Sequence, residues 1–262
     1  MTIEKIKQIK EDYGFTCQMI ADASGVPMST VLKIMSGKNK CPRYSTMEKL
    51  NLGVNKLIQA DRMKMYVNGM AEAKKRLESP EKKGGNTIED YMALPEGERV
   101  ELIDGVFYDL SSTLGPQQLS LDKVTSLLAD YIEKYNVKCK VFHSPMDVQL
   151  DADDKTVVQP DAFILCDRDK YVDGKVIGAP DLVIEVLSPS NRWHDMGRKL
   201  RKYKLAGVRE YWVIDTEKEV VIVHTFENDD YSIYSFNDKV PVGIWGGKCK
   251  VDFKAVKKYM EW

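Results

Sequence analysis

The sequence predicts an α/β protein, a mixed central sheet flanked by helices, preceded by a small all-α domain. Three observations carry that prediction. Residues 1–60 break into short pieces with apolar residues at helical spacing, separated by Gly14, Gly25-Val26-Pro27 and Ser36-Gly37. From Thr87 onward the texture changes to β-branched and aromatic runs of strand length that alternate with a few helical patterns. Charge divides at the same place: residues 1–86 hold 16 Lys and Arg against 9 Asp and Glu, a balance of +7, and the remainder hold 23 against 31, a balance of −8, within a chain whose net charge is −1. A basic small domain beside an acidic large one suits a first part that touches a polyanion and a second that gathers carboxylates.

The 262 residues and 43% hydrophobic content are enough for one large domain and a small one. The expected division is a helical domain over 1–60, a helical and flexible linker over 61–86 that closes in Lys82-Lys83-Gly84-Gly85, and a large domain over 87–262. No run of 18 apolar residues occurs, and the opening MTIEKIKQIKEDYG lacks the apolar centre of a signal peptide, so a cytoplasmic protein without membrane partners is expected. Five scattered cysteines (Cys17, Cys41, Cys139, Cys166, Cys249) without a CxxC pair read as reduced structural thiols.

In the first domain Ile20, Ala21 and Val26 fit a helix and tight turn, and Val31, Leu32 and Met35 fit the buried side of the next helix, which opens at Met28 or Ser29 and ends at a left-handed Gly37. The order helix, Ala-x-x-Ser-Gly-Val turn, Ser-Thr-bearing helix and Gly-Lys exit resembles the five-helix, repressor-like helix-turn-helix domain over about residues 3–57. That resemblance implies DNA binding, with Met28, Ser29, Thr30 and Lys33 toward bases and Lys38, Lys40 and Arg43 near phosphates. The second helix has no Arg, Asn or Gln for bidentate base readout, which leaves a protein-docking role or a plain helical oligomerisation module as alternatives.

In the large domain RVELIDGVFYDL reads as a hairpin turning at Asp104-Gly105, and LSLDKVTSLLADYIEKY as an amphipathic helix. KCKVFH, MDVQL, TVVQPDAFILC and PDLVIEVLS read as strands, the last two apolar enough to be central. DMGRKLRKYKLAG is a helix from Asp195 to Gly207, and REYWVIDT with EVVIVHTF a second hairpin. Phosphate-loop, GxSxG and HExxH patterns are absent.

Strand alternation puts Asp181, Val183 and Glu185 on one face of PDLVIEVLS and Leu182, Ile184 and Val186 on the other, so Glu185 sits mid-strand, as Asp161 does in VVQPDAFILC. Burying an unpaired carboxylate costs several kcal/mol, so such groups pair with a base, bind a metal or take up a proton. Two of them without His or Cys suit Mg2+ or Mn2+, which keep waters or a substrate phosphate in the other positions.

Pro160-Asp161, a gap of 23 residues and then Glu185-Val-Leu-Ser resemble the PD-(D/E)XK nuclease superfamily. More closely, RVELIDG, VVQPDAFILCD, GAPDLVIEVLSPSN and HDMGRKLRKYKLAGVREYWVID resemble the Uma-two family of restriction endonucleases over about residues 88–226. The resemblance implies a restriction-endonuclease-like fold and Mg2+-dependent hydrolysis of DNA phosphodiester bonds, with Asp161 and Glu185 as metal ligands. The lysine expected two residues after Glu185 is replaced by Leu187, and the nearest cations lie on the next helix. Lys199, in the pattern D-x-x-x-K-x-x-x-Y, is the favoured migrated lysine and Lys202 the alternate. Gln117-Gln118 stands where relatives show His-Gln, and Gln118 is expected to orient a water. Glu101 matches a recurrent acid of the family and is a candidate outer metal ligand, with a structural partner for an Arg or a backbone group as the alternative; Asp181 is a strand-opening or supporting acid, and His194 reads as a surface residue. A homodimer is expected by analogy with enzymes that cut both strands. A non-cleaving DNA-binding regulator on a nuclease scaffold, or a module that binds protein or RNA, is the competing reading.

Overall fold

A computed structural model of the chain describes residues 1–77, 84–95, 97–110, 115–150, 154–187, 194–228 and 230–261, with the backbone alone for 62, 63, 65–77 and 194–196. It divides into two compact units, Met1–Gly69 and Met70–Trp262.

The first unit is helical: α1 (Ile3–Asp12), α2 (Cys17–Ser24), α3 (Met28–Met35) and the start of α4 (Tyr44–Leu77). Thr2 and Thr16 cap α1 and α2 by accepting from Lys5 and Met19 N–H, and Gly25 ends α2 in the left-handed conformation. α3 opens at Met28, one of the two expected openings, directly after Pro27, whose fixed φ suits the entry; no side-chain cap forms. Ile6, Ile20, Val31, Ile34, Leu50 and Val54 are fully buried and make a separate core. Residues 44–77 form one continuous helix, so the helix expected from Asp61 is the extension of α4.

After the end of α4, the second unit continues with α5 (Ile88–Met92), capped reciprocally by Thr87 and Asp90. There follow β1 (Val100–Ile103), β2 (Val106–Asp109), α6 (Gly115–Lys134), β3 (Lys140–His143), β4 (Val148–Gln149), β5 (Val157–Val158), β6 (Ala162–Leu165), β7 (Tyr171–Val172), β8 (Lys175–Ile177) and β9 (Leu182–Val186). After these come α7 (His194–Ala206), β10 (Glu210–Asp215), β11 (Val220–Thr225), β12 (Asp230–Ser235), β13 (Lys239–Pro241), β14 (Lys250–Asp252) and α8 (Phe253–Met260). Two six-stranded sheets form, in the orders β2-β1-β5-β4-β8-β7 and β12-β11-β10-β9-β6-β3, beside the small pair β13-β14. The β9–β10 and β4–β8 pairs are parallel and the other pairs of the two large sheets antiparallel, so the expected mixed sheet is present twice. TVVQPDAFILC is therefore not one strand: Gln159-Pro160-Asp161 carries the chain out of one sheet at β5 and into the other at β6, a break that suits a proline without a ladder donor.

One face of the second large sheet supplies the core. Ile164, Leu182, Ile184, Trp212 and Ile214 are buried against Val124 and Leu128 of α6 and Phe253 and Val256 of α8. The other face carries Val183, Glu185 and Tyr211, and the Tyr203 ring of α7 lies 5.0 Å from that of Tyr211. The alternation read from PDLVIEVLS is the observed one. The β1–β2 turn has Asp104 and Gly105 both at positive φ, the type I′ geometry that favours this dipeptide, and a Cβ on Gly105 would lie 2.5 Å from Gly84 O.

The cysteine expectation needs correction. Cys139 and Cys166 form a disulfide, because each adjoins the antiparallel pair Lys140↔Leu165 and the two stand opposite one another with Cα atoms 3.9 Å apart. Their sequence separation of 27 hid the pairing; Cys17, Cys41 and Cys249 are free. Among the described residues no helix is long and apolar enough to cross a membrane.

Candidate active site

Four elements bring Glu101, Asp161, Glu185 and Lys199 together. Glu101 is the second residue of β1 in one large sheet, Glu185 the fourth residue of β9 in the other, and Asp161 ends the crossing between them. Lys199 bridges the sheets, its Nζ 2.9 Å from Glu101 Oε1 and 3.0 Å from Glu185 Oε1. Tyr203, one turn further along the same face of α7, donates to Glu185 Oε1 at 2.7 Å. Asp161 is tied to β9 by the Val186 N–H, which donates to its Oδ2 at 2.7 Å, and Glu101 Oε1 accepts from the Gln159 N–H at 2.8 Å.

Burial makes these charges consequential. Glu101, Lys199 and Glu185 expose 2, 4 and 8% of their surface. Burial pushes the Glu101 carboxyl up to about 7; Lys199 opposes that rise and the Glu185 charge adds to it. Asp161 is pushed up to about 7 by burial and by Glu185, against the Val186 N–H and Lys199. The Tyr203 hydroxyl is raised well above its usual range by burial and by Glu185, which keeps it a donor. Three carboxyls face one ammonium, a surplus of negative charge that a divalent cation would relieve.

The donor set fits such a cation. Asp161 and Glu185 engage one oxygen each in the hydrogen bonds above, so their hard oxygens are the ligand type that Mg2+ or Mn2+ prefers, with water or phosphate completing the shell. Among the described residues no three His, Cys, Asp or Glu side chains are grouped to hold a metal. Asp161 opens onto a cleft of ≈720 Å³ whose wall includes Arg99, Gln118, His143 and Gln159.

The remaining sequence candidates separate. Lys202 pairs with Asp104 at 2.8 Å, and Arg198 lies 4.2 Å over the Tyr108 ring, so both clamp the β1–β2 hairpin that carries Glu101. Lys199, not Lys202, is the lysine at the carboxylates. Gln118 is exposed on the cleft wall, whereas its neighbour Gln117 is buried and donates to Leu187 O at 2.7 Å; helical rotation separates the two. Leu187 is buried and fills the place of the expected lysine. Asp181 accepts from the Cys166 N–H and pairs with Arg209, four residues and about 13 Å along the strand from Glu185, which makes it structural. The side chains of His194 and Asp195 lie outside the described residues. In the first unit Ser29, Lys33, Lys38, Lys40 and Arg43 are exposed, whereas Thr30 is half-buried and Met28 packs on the core. Leu32, assigned to the buried side from spacing, is 48% exposed beside Ser29 and Lys33. Sequence reasoning assigned no role to Gln159, Tyr91 or Asp147; the one available signal was that Gln159 directly precedes Pro160-Asp161.

Mixed sheets whose strands deliver carboxylates to a buried lysine define a nuclease-like α/β protein. The chain belongs to the Uma2 family, described as "Putative restriction endonuclease", whose family model matches residues 88–242. An uncharacterized protein of Synechocystis sp. is 24% identical over 170 residues, covering 63% of this chain and 88% of that one. Among solved structures, a chain from Anabaena variabilis described as "a putative nuclease belonging to DUF820" superposes with a TM-score of 0.58 at 18% identity, covering 68% of this chain and all of that one, a likeness of fold.

Proposed function

We propose that the chain is a divalent-metal-dependent DNA endonuclease whose helical first unit docks it on DNA. The observation that carries this reading is the Lys199 ammonium held 3.0 Å from Glu185, which returns to the site the positive charge that Leu187 removes. Asp161 and Glu185 would hold the cation, with Mg2+ the first choice and Mn2+ the second. When bound, the cation supplies Lewis-acid activation of the attacking water. Lys199 supplies fixed positive charge beside the carboxylates, where the phosphorane would develop. Tyr203 and the Val186 N–H keep the two ligand carboxylates in place, and Gln118 stands on the cleft wall where a water could be oriented.

For the first unit, α2, the Gly25–Pro27 turn and α3 support the helix-turn-helix reading, with Ser29 and Lys33 toward DNA bases and Lys38, Lys40 and Arg43 toward phosphates. A homodimer remains part of the proposal, since cutting both strands takes two such sites.

The test pairs Mn2+ binding by calorimetry with plasmid nicking in Mg2+. Glu185→Gln, folded by circular dichroism, should lose both; nicking at the wild-type rate by that variant overturns the assignment. The non-cleaving regulator is favoured by one observation, Leu187 in the lysine's place, and would show tight DNA binding without cleavage across Mg2+ and Mn2+ titrations.

A further inference from the structure

A second hydrogen-bonded cluster adjoins the site through Gln159. The Tyr91 hydroxyl of α5 donates to Asp147 Oδ1 at 2.8 Å, and Gln159 Nε2 donates both to that hydroxyl, at 3.1 Å, and to Asp147 Oδ1, at 3.0 Å. The triangle closes on itself, using both N–H groups of the Gln159 amide. The backbone of the same residue continues inward, its N–H donating to Glu101 Oε1, and two residues on the chain reaches Asp161. Gln159 therefore sits at the corner where the chain passes from one large sheet to the other, fixed outside by its side chain and bonded inside by its main chain.

We propose that Gln159 is a positioning residue for the carboxylate site and that Tyr91 and Asp147 are the brace that holds it. This rests on the nuclease reading above. A glutamine amide held at two points cannot rotate without breaking both bonds, so the corner keeps its backbone N–H aimed at Glu101 and its Asp161 aimed at the cleft. Tyr91 and Glu101 share no hydrogen bond, and the chain of hydrogen bonds between them runs through Gln159. That makes the proposal measurable without reference to catalysis.

The experiment is a double-mutant cycle of Tyr91→Phe and Glu101→Gln, read by urea unfolding of the full chain, together with plasmid nicking by Tyr91→Phe, Asp147→Leu and the conservative Asp147→Asn. The expected cycle is non-additive by at least threefold in the folding equilibrium constant. Tyr91→Phe and Asp147→Leu should lower kcat at least tenfold with KM for DNA within twofold, and Asp147→Asn, whose amide oxygen still accepts, should stay within threefold of wild type. An additive cycle, or wild-type kcat in Tyr91→Phe, overturns the proposal. A non-additive cycle in a protein that does not nick DNA at all supports the brace while removing the nuclease reading.

Discussion

Lys199 is held between carboxylates from two different sheets, and that geometry determines what its removal does. Breaking a buried ion pair from one side costs about 3–5 kcal/mol, because the partner charges stay behind. Lys199→Met should therefore be destabilised in urea at pH 8, and the loss should shrink as the pH falls and Glu101 takes up a proton. Asp161 is the opposite case. Its carboxyl is raised from 3.8 to about 7 in the folded state, so ionisation at pH 8 opposes folding, and that cost disappears as the pH falls through 7 toward 3.8. Asp161→Asn keeps an acceptor for the Val186 N–H without the charge, and should be more stable than wild type at pH 8 by about 1–3 kcal/mol while losing nicking. His224 titrates with the other sign. Burial lowers it from 6.5 to about 4, so the unfolded chain binds its proton first, and the stability it contributes is complete above 6.5 and lost as the pH falls toward 4. Urea midpoints at pH 7 and pH 4 should show His224→Phe losing less than wild type, by about 3 kcal/mol. At this scale the sequence was most informative where a charge stood in an apolar run: Glu185 and Asp161 are conspicuous, and Lys199 follows from the absence of a lysine at 187. Tyr91, Asp147 and Gln159 were silent because their bonds join residues 12 to 68 positions apart.

The elements that position these residues differ in how local their causes are. The β1–β2 hairpin follows from Asp104-Gly105, α6 from its apolar period, and α7 from a basic amphipathic run ending at Gly207, which adopts φ +93. Each was legible because its stabilising pattern lies within a few residues. The crossing at Gln159–Asp161 was not, since two short apolar runs joined by Gln-Pro-Asp have the hydrophobicity of one central strand, and only long-range pairing assigns β5 to β1 and β6 to β9. The Cys139–Cys166 bond was invisible for the same reason. α6 seals one face of the sheet that carries Glu185, and Leu128 is fully buried there. Leu128→Ala should cost about 2–5 kcal/mol in urea denaturation, with metal binding retained in the folded fraction.

Among the described residues one buried core lies within Met1–Gly69 and a larger one within Met70–Trp262. Separate cores should melt separately, so calorimetry of the full chain should resolve two transitions, with Leu50→Ala shifting only the one that belongs to the first unit. The charge division between the two regions follows a similar split, and on the proposed function it assigns polyanion contact to the first and metal chemistry to the second. The central claim is that Lys199 supplies the cation missing at Leu187. Its most direct test is Mg2+-dependent nicking of supercoiled plasmid by Lys199→Met beside Lys202→Met, whose lysine serves the hairpin at Asp104. The account predicts a loss of about 100-fold or more for Lys199→Met, the scale of removing one preorganised charge from a transition state, and retention of activity in Lys202→Met. Wild-type nicking by Lys199→Met, or loss confined to Lys202→Met, would contradict it.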